Sequence, residues 1–458
     1  MKTNSQTKLA TEKLFPLCLK LAIPTALAQA VMVLYAIVDR MFIGHIPLIG
    51  SLAIAGVGVA APITTFISSF AVLIGLGGSP LMAMKAGHGE KEQAEQILGN
   101  SLSLLLLVSA IITPLFFFLK EPLLLTFGAS QATFIYANEY TTYYLLGTPF
   151  ALLSAGLNSF VINQGRAKTG MISVLAGAVV NIILDPIFIY TFGLGCKGAA
   201  IATVISQFVS TLITFWALLG KNAPLKLRLM KPDFKIAKKI FVYGLSPFII
   251  ISTDSLLLIM LNTSLQKYSI NNTGDILITA ATIIQSYHLL VMNPLGGITG
   301  GCQAIISYNY GAGLTERVKK GILCVEALSF TYTAIIFSLT YICGDSFVAL
   351  FTSDREIQII TLKYMKIFTS MIMLLAFQYT NVDCFTAMGQ IKYSLPLSLF
   401  RKSLFLIALV ILPPIFSAES AFFAEPICDL LAGIVSSTVM FRCLPKILKK
   451  RETLDLQL

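Results

Sequence analysis

About twelve stretches of this 458-residue chain are each apolar for long enough to cross a bilayer, which excludes most folds open to a chain of this length. Inside the hydrocarbon no water is available to backbone N–H and C=O groups, so each crossing must satisfy its own hydrogen bonds as a helix. In chain order the segments are 15–43, 52–82, 97–119, 136–162, 170–192, 198–219, 240–265, 276–307, 321–343, 359–385, 393–417 and 420–442. Only 12% of the residues are charged and 56% are hydrophobic, against about 25% charged in soluble domains. The expected fold class is all-α integral membrane, with about twelve transmembrane helices in two six-helix lobes.

A net charge of +11 would suggest nucleic acid as the partner of a soluble protein. Here its placement points elsewhere. With the N-terminus inside, about 23 lysines and arginines fall in inner segments and about 4 in outer ones, a positive-inside asymmetry. Both termini are therefore expected in the cytoplasm, with the chain multi-pass in the cell membrane. Met1–Lys13 is polar and basic, and the apolar segment after it is too long for a signal-peptide core, so it reads as a signal anchor. Seven of the eight cysteines fall in or beside apolar segments, and Cys196 stands in a short loop. No C-x-x-C spacing occurs, so neither a structural disulfide nor a sulfur-built metal site is expected.

The longest inner loop, Lys221–Lys239, divides the chain into a lobe over 1–225, a basic cytoplasmic linker over 226–239 and a second lobe over 240–458. The linker is expected to rest on anionic headgroups and to hold a short surface helix around Asp233–Lys239. The two lobes repeat one another. A shift of 224 residues brings Gly87 and Gly89 onto Gly311 and Gly313, Phe127 onto Phe351, Tyr140 onto Tyr364, and Gly165-x-x-Lys168 onto Gly389-x-x-Lys392. With a few inserted residues, Leu184-Asp-Pro-Ile-Phe188 meets Leu412-Pro-Pro-Ile-Phe416. An even number of spans per copy makes these parallel repeats about a pseudo-two-fold axis along the membrane normal, an architecture of alternating-access transporters.

Acids inside apolar helices cost at least about 2.5–3.5 kcal/mol each and therefore mark function. Asn181 and Asp185 lie four apart, on one helix face. Pro186 has no N–H for the carbonyl of Ile182, and the three groups together suggest an ion-binding notch. Asp39 falls in the outer half of the first span, and Thr203 lies near the outer start of the sixth, at a depth similar to that of Asp185. The competing reading of Asp39 is a salt bridge to Arg40, although adjacent residues on a helix point apart. Asn158 is a weaker ligand candidate, since membrane helices also use Asn to bond one another. In the second lobe Asp185 meets Pro413 and Asp39 meets Asn262, so the acids are retained on one side only. Asp254, in the polar patch Ser252–Ser255, is a candidate of its own.

Catalytic signals are missing. His45 and His88 fall in loops, His288 has no ligand partner, and no Walker A motif is present. The glycine runs at 75–78 and 296–301 lie in apolar spans, where they serve close helix packing. No cofactor and no enzymatic activity are expected.

Val38-Asp-Arg-Met-Phe-Ile-Gly44 with Leu52-Ala-Ile-Ala-Gly56, and Gln303-Ala-Ile-Ile-Ser-Tyr-Asn-Tyr-Gly-Ala312, resemble helix-one and helix-eight signatures of the multidrug and toxic compound extrusion (MATE) family. Gly198-Ala-Ala-Ile-Ala-Thr203 and Asn181-x-x-x-Asp185-Pro186 resemble its MepA- and DinF-like branch. The resemblance covers essentially the whole chain. It implies a monomeric antiporter that exports amphipathic, often cationic small molecules from the bilayer and cytoplasm, driven by H⁺ or Na⁺. It implies that Asp39, Asn181, Asp185 and Thr203, with Asn158 nearby, hold the coupling ion, and these four would be the metal ligands if that ion is Na⁺. Span seven usually carries an uncharged polar residue near Asp254 in this branch, so an acid there leaves room for an ion site in the second lobe.

Two carboxylates close together in low dielectric do not both stay ionised cheaply, so Asp39 and Asp185 are expected to share a proton or a cation. Filling that site would remove the attraction for a cationic compound, while Pro24 lets the first helix bend. Tyr35, Asp254 and Met292 are the candidate substrate contacts, with plain packing as the competing reading of Tyr35 and Met292. The rival function is a lipid or lipid-linked oligosaccharide flippase, which would line its cavity with several arginines. Asp, Asn and Thr oxygens suit H⁺ and Na⁺ alike.

Overall fold

The computed structural model describes residues 5–47, 49–127, 129, 131–220, 223–269, 274–351 and 355–455. In order the helices are α1 Ser5–Thr11, α2 Leu14–Gly44, α3 Gly50–Gly87, α4 Lys91–Thr126, α5 Gln131–Leu146, α6 Thr148–Asn163, α7 Ala167–Pro186 and α8 Gly195–Leu219. After the linker come α9 Phe234–Lys267, α10 Gly274–Gly311, α11 Thr315–Ala349, α12 Arg355–Phe368, α13 Ile372–Ala387, α14 Ile391–Ile415 and α15 Ala424–Asp455. Among the described residues nine helices are singly long and apolar enough to cross a membrane, and two bent pairs add one crossing each. The 34-residue α9 takes the place of the seventh expected span.

The bent pairs are α5–α6, turned by 59°, and α12–α13, turned by 49°. Both breaks fall in the fourth span of their lobe, at Gly147 and at Thr369–Met371, so the kink obeys the sequence repeat. Gly147 fits because α8 passes close by: a Cβ there would meet Val204 Cγ2 at 2.2 Å. Pro149 lies in the first turn of α6 and supplies no N–H to continue α5.

The linker differs from expectation. Asp233 caps α9 by accepting from Lys235 N at 2.7 Å, so the anticipated surface helix is the first turn of the seventh span. Upstream, the linker is strapped to the first lobe while its basic residues Lys226, Arg228 and Lys231 stay exposed. Leu225 and Leu227 are buried there, Leu225 N donates to Gln164 at 3.3 Å, and Asp233 N donates to Asn100 at 2.6 Å. Lys221, where the basic run begins, lies outside the described residues. Cys196, expected in a loop, is buried in the first turn of α8, and all eight cysteines are free.

Two large apolar cores form, one running from Ile43 to Ile240 and the other from Leu257 to Cys428. The lobes meet where α2 lies on α10 and α3 on α9. A third cluster unites Leu17, Cys18 and Leu21 of α2 with Ile298, Cys302 and Ile305 of α10. Every glycine whose added Cβ would strike the opposite lobe's backbone lies in the halves of these helices nearest the termini. Cβ atoms on Gly77 and Gly244 would sit 2.2 Å from Ile240 O and 1.8 Å from Leu73 O. At the crossing of α3 and α10 the approach is reciprocal: a Cβ on Gly87 would lie 2.0 Å from Tyr308 O, and one on Gly311 2.0 Å from Met84 O. These pairs exchange under the sequence repeat, so the crossing sits on the pseudo-two-fold axis.

The last helix reinforces the seam. Arg451 donates to Tyr310 O at 3.0 Å, to Gly311 O at 2.7 Å and to Nδ1 of His88, just beyond α3, at 2.9 Å. The N-terminal α1 docks on the second lobe rather than its own, where Asn309 and Arg317 both donate to Leu9 O, at 3.0 and 3.1 Å.

Candidate functional site

Three helices of the first lobe converge on one polar point. Asp39 lies just over one turn before the end of α2, Asn181 and Asp185 close α7, and Thr203 is two turns into α8. After Pro186 the backbone widens into a five-residue π turn, Ile187–Thr191, the local response to a missing N–H and a frequent mark of functional sites. Gly198 lets α8 approach that turn, since a Cβ on it would lie 2.7 Å from the Phe188 carbonyl carbon. Ala199, Ala200 and Ala202 are fully buried behind it, and this run of small residues brings Thr203 beside the acid.

Asn181 and Asp185 are completely buried, Thr203 and Asp39 nearly so. Asn181 Nδ2 donates to Asp185 Oδ1 at 3.3 Å and to Thr203 Oγ1 at 3.4 Å. The carboxyl groups of Asp39 and Asp185 face one another within hydrogen-bonding reach. Asp39 Oδ1, Asn181 Oδ1 and Asp185 Oδ2 are buried acceptors without a donor among the described residues. No described Lys, Arg or His pairs with either acid; Arg40 is exposed and forms no bridge to Asp39. Buried acceptors left without donors are costly, and a proton or a hard monovalent cation would satisfy them. Oxygen-only donors of this kind do not favour a soft transition metal.

Three tyrosines wall the site, of which the sequence singles out only Tyr35 as a contact. Tyr35 and Tyr140 lie near Thr203 and the acids, and Tyr144 bonds Ser68 at 3.4 Å. Tyr140 and Tyr144 stack with centroids 6.3 Å apart. Tyr140 stood out in the sequence only as a repeat match, because nothing in spacing ties it to Asp39. Tyr35, expected to meet substrate, belongs to this cluster.

The remaining candidates fall elsewhere. Asn158 Oδ1 packs against Gly170, about 16 Å along α7 from Asn181. Met292 packs against the core of the second lobe. Asp254 on α9 pairs with Lys402 of α14. The side chain of Asn262 lies outside the described residues. Beside that pair is a network the sequence reading did not assemble: Arg401 of α14 binds Glu425 and, at 3.1 Å, Asp429 of α15, and His288 Nε2 of α10 lies 3.4 Å from Glu425. The signal available was two basic residues inside an apolar span, followed by two acids four apart in the next one.

A two-lobed bundle of membrane-crossing helices, with an oxygen-lined acid pair in one lobe, is the architecture of a membrane transporter. The profile of the MatE family matches residues 24–187 and again 247–412, one match in each lobe, and the chain belongs to that family. It is similar to the Multidrug export protein MepA of Staphylococcus haemolyticus, 24% identical over 431 residues that cover 92% of this chain and 93% of that one. It is also similar to the FAD transporter of Shewanella oneidensis, 26% identical over 442 residues covering 91% and 92%. One solved structure, described as the outward-facing conformation of a multidrug resistance MATE family transporter of the MOP superfamily, has a TM-score of 0.89 and 22% identity, covering 98% of this chain and 100% of that one. That likeness establishes the fold.

Proposed function

We propose that this protein exports amphipathic organic cations by antiport against H⁺ or Na⁺, through alternating access of its two lobes. The observation that carries the reading is the facing pair Asp39 and Asp185 with three buried acceptor oxygens and no base. Such a cluster attracts one positive charge at a time, either the coupling ion or, electrostatically, a cationic compound in the adjacent cleft. Entry of the coupling ion neutralises the pair and weakens the hold on the compound. The basic residues of the terminus-bearing side support a cytoplasmic position for that side. The close glycine crossings on that side support an outward-facing reading of this conformation. The export activity named for MepA supports this reading.

Vesicles carrying the protein, loaded with an ethidium-like dye and given either a pH or a sodium gradient, test it and identify the ion. Transport that persists in the Asp39→Asn, Asp185→Asn double variant would disprove the coupling site. The activity named for the Shewanella relative supports a second reading, export of an anionic dinucleotide, and flavin adenine dinucleotide in the same vesicles tests that. A flippase is less well supported, because the central arginine, Arg401, is already held by two carboxylates.

A further inference from the structure

Asp254 lies deep within α9, yet 54% of its side chain is exposed. A carboxylate turned toward hydrocarbon at that depth is expensive, so its exposure fits water better than lipid on the open face. Its ion-pair partner is Lys402 Nζ, whose side chain is only 11% exposed. Behind the pair, Arg401 turns the other way into the lobe toward Glu425 and Asp429, the last of which is 1% exposed. The charges thus form a ladder from cleft to interior. It contains three carboxylates, two bases that stay charged, and His288, whose Nδ1 has no partner among the described residues.

The two bases are held differently. Arg401 is buried and shared between two acids. Its planar guanidinium stays charged and leaves a buried pair only at great cost. Lys402 is nearly as buried, its side chain 11% exposed, but it is a point charge on a flexible stem and holds a single carboxylate at the open end of the ladder. Glu425 is also within its electrostatic range, so a displaced ammonium retains a counter-charge.

We propose that Asp254 is the binding point for the positive group of a monovalent organic cation and that Lys402 is a tethered competitor occupying it between substrates. The proposal deepens the export reading and rests on it. A monocation reaching Asp254 takes the place of the Lys402 ammonium, and Lys402 swings back to reset the site after release. An anion finds no free base in this ladder.

Equilibrium binding to the purified full-length protein in lipid nanodiscs tests this with tetraphenylphosphonium, against the anionic tetraphenylborate. Lys402→Gln should tighten tetraphenylphosphonium binding about fivefold at low salt. Lys402→Arg should stay near wild type, and Asp254→Asn should weaken binding by a similar factor. In the Asp254→Asn background, Lys402→Gln should no longer tighten it. Unchanged or weaker binding by Lys402→Gln, with Lys402→Arg normal, overturns the proposal. So does loss of tetraphenylborate binding in Lys402→Gln, or no measurable tetraphenylphosphonium binding by any form. The vesicle assay reads the export proposal separately: gradient-driven transport with no effect of Lys402→Gln on binding refutes only the tethered competitor.

Discussion

The same three helices of each repeat carry charge into the membrane, but the two lobes treat it in opposite ways. In the first lobe α2, α7 and α8 bring Asp39, Asn181, Asp185 and Thr203 together, with no base and three acceptor oxygens without donors among the described residues. In the second lobe α9, α14 and α15 bring Asp254, Glu425 and Asp429 together with Arg401 and Lys402 already among them. One cluster needs a charge from outside and the other carries most of its own. A duplicated scaffold has thus been divided between an acid pair with no described counter-charge and a largely self-neutralised network.

The largest expected effect comes from the first lobe. Asp39→Asn or Asp185→Asn should abolish gradient-driven dye transport in vesicles while leaving thermal stability near wild type, because either change removes a buried carboxylate that has no counter-ion. Coupled transport surviving in both single variants would erase the contrast between the lobes. In the second lobe the sign for stability reverses. Arg401→Met leaves Glu425 and Asp429 buried without their base and should lower stability by about 3–5 kcal/mol in chemical or thermal unfolding. Its deficit should be greatest at high pH and shrink on acidification, since protonating the acids removes their uncompensated charge. A pH-independent deficit would mean that Arg401 matters by packing alone.

A smaller effect is expected at the axis both lobes share. Gly87→Ala and Gly311→Ala place a Cβ against the opposing carbonyl and should each cost about 1–3 kcal/mol of the sealed state. Spin labels at the exposed positions Glu92 and Lys320, on the sealed side, should report longer separations in these variants, and a milder shift in Arg451→Gln. Unequal responses from the two glycines would show that the crossing is less symmetric than its geometry. The smallest effect belongs to Asn158→Ala, which should change ion dependence in the vesicle assay by less than about twofold, because Asn158 packs far down α7 from the acid pair. A large change in the ion dependence would extend the site toward the sealed side.

Much of this was legible before any coordinates. The length of apolar runs sets the number of crossings, and the cost of an acid in hydrocarbon singles out Asp39 and Asp185. Depth along each helix, at a fixed rise per residue, brings Thr203 level with them. The 224-residue repeat also predicts that features will recur, as the kinks at Gly147 and Thr369–Met371 do. Asn158 and Tyr35 show where such reasoning stops. Both lie on expected spans, but the direction in which a side chain points around its helix axis decided that Tyr35 joins the acids and Asn158 does not.

The sequence by itself determined the crossings, the two-fold repeat and the buried acids, because hydrophobic length and the price of a desolvated charge belong to each segment alone. Only the tertiary structure decided which charges are neutralised, that α1 and the last helix tie the lobes together, and that the lobes seal at Gly87 and Gly311. Those outcomes depend on how helices distant in sequence rotate and approach one another, and an ion pair such as Arg401 with Glu425 exists only once two separate helices have packed.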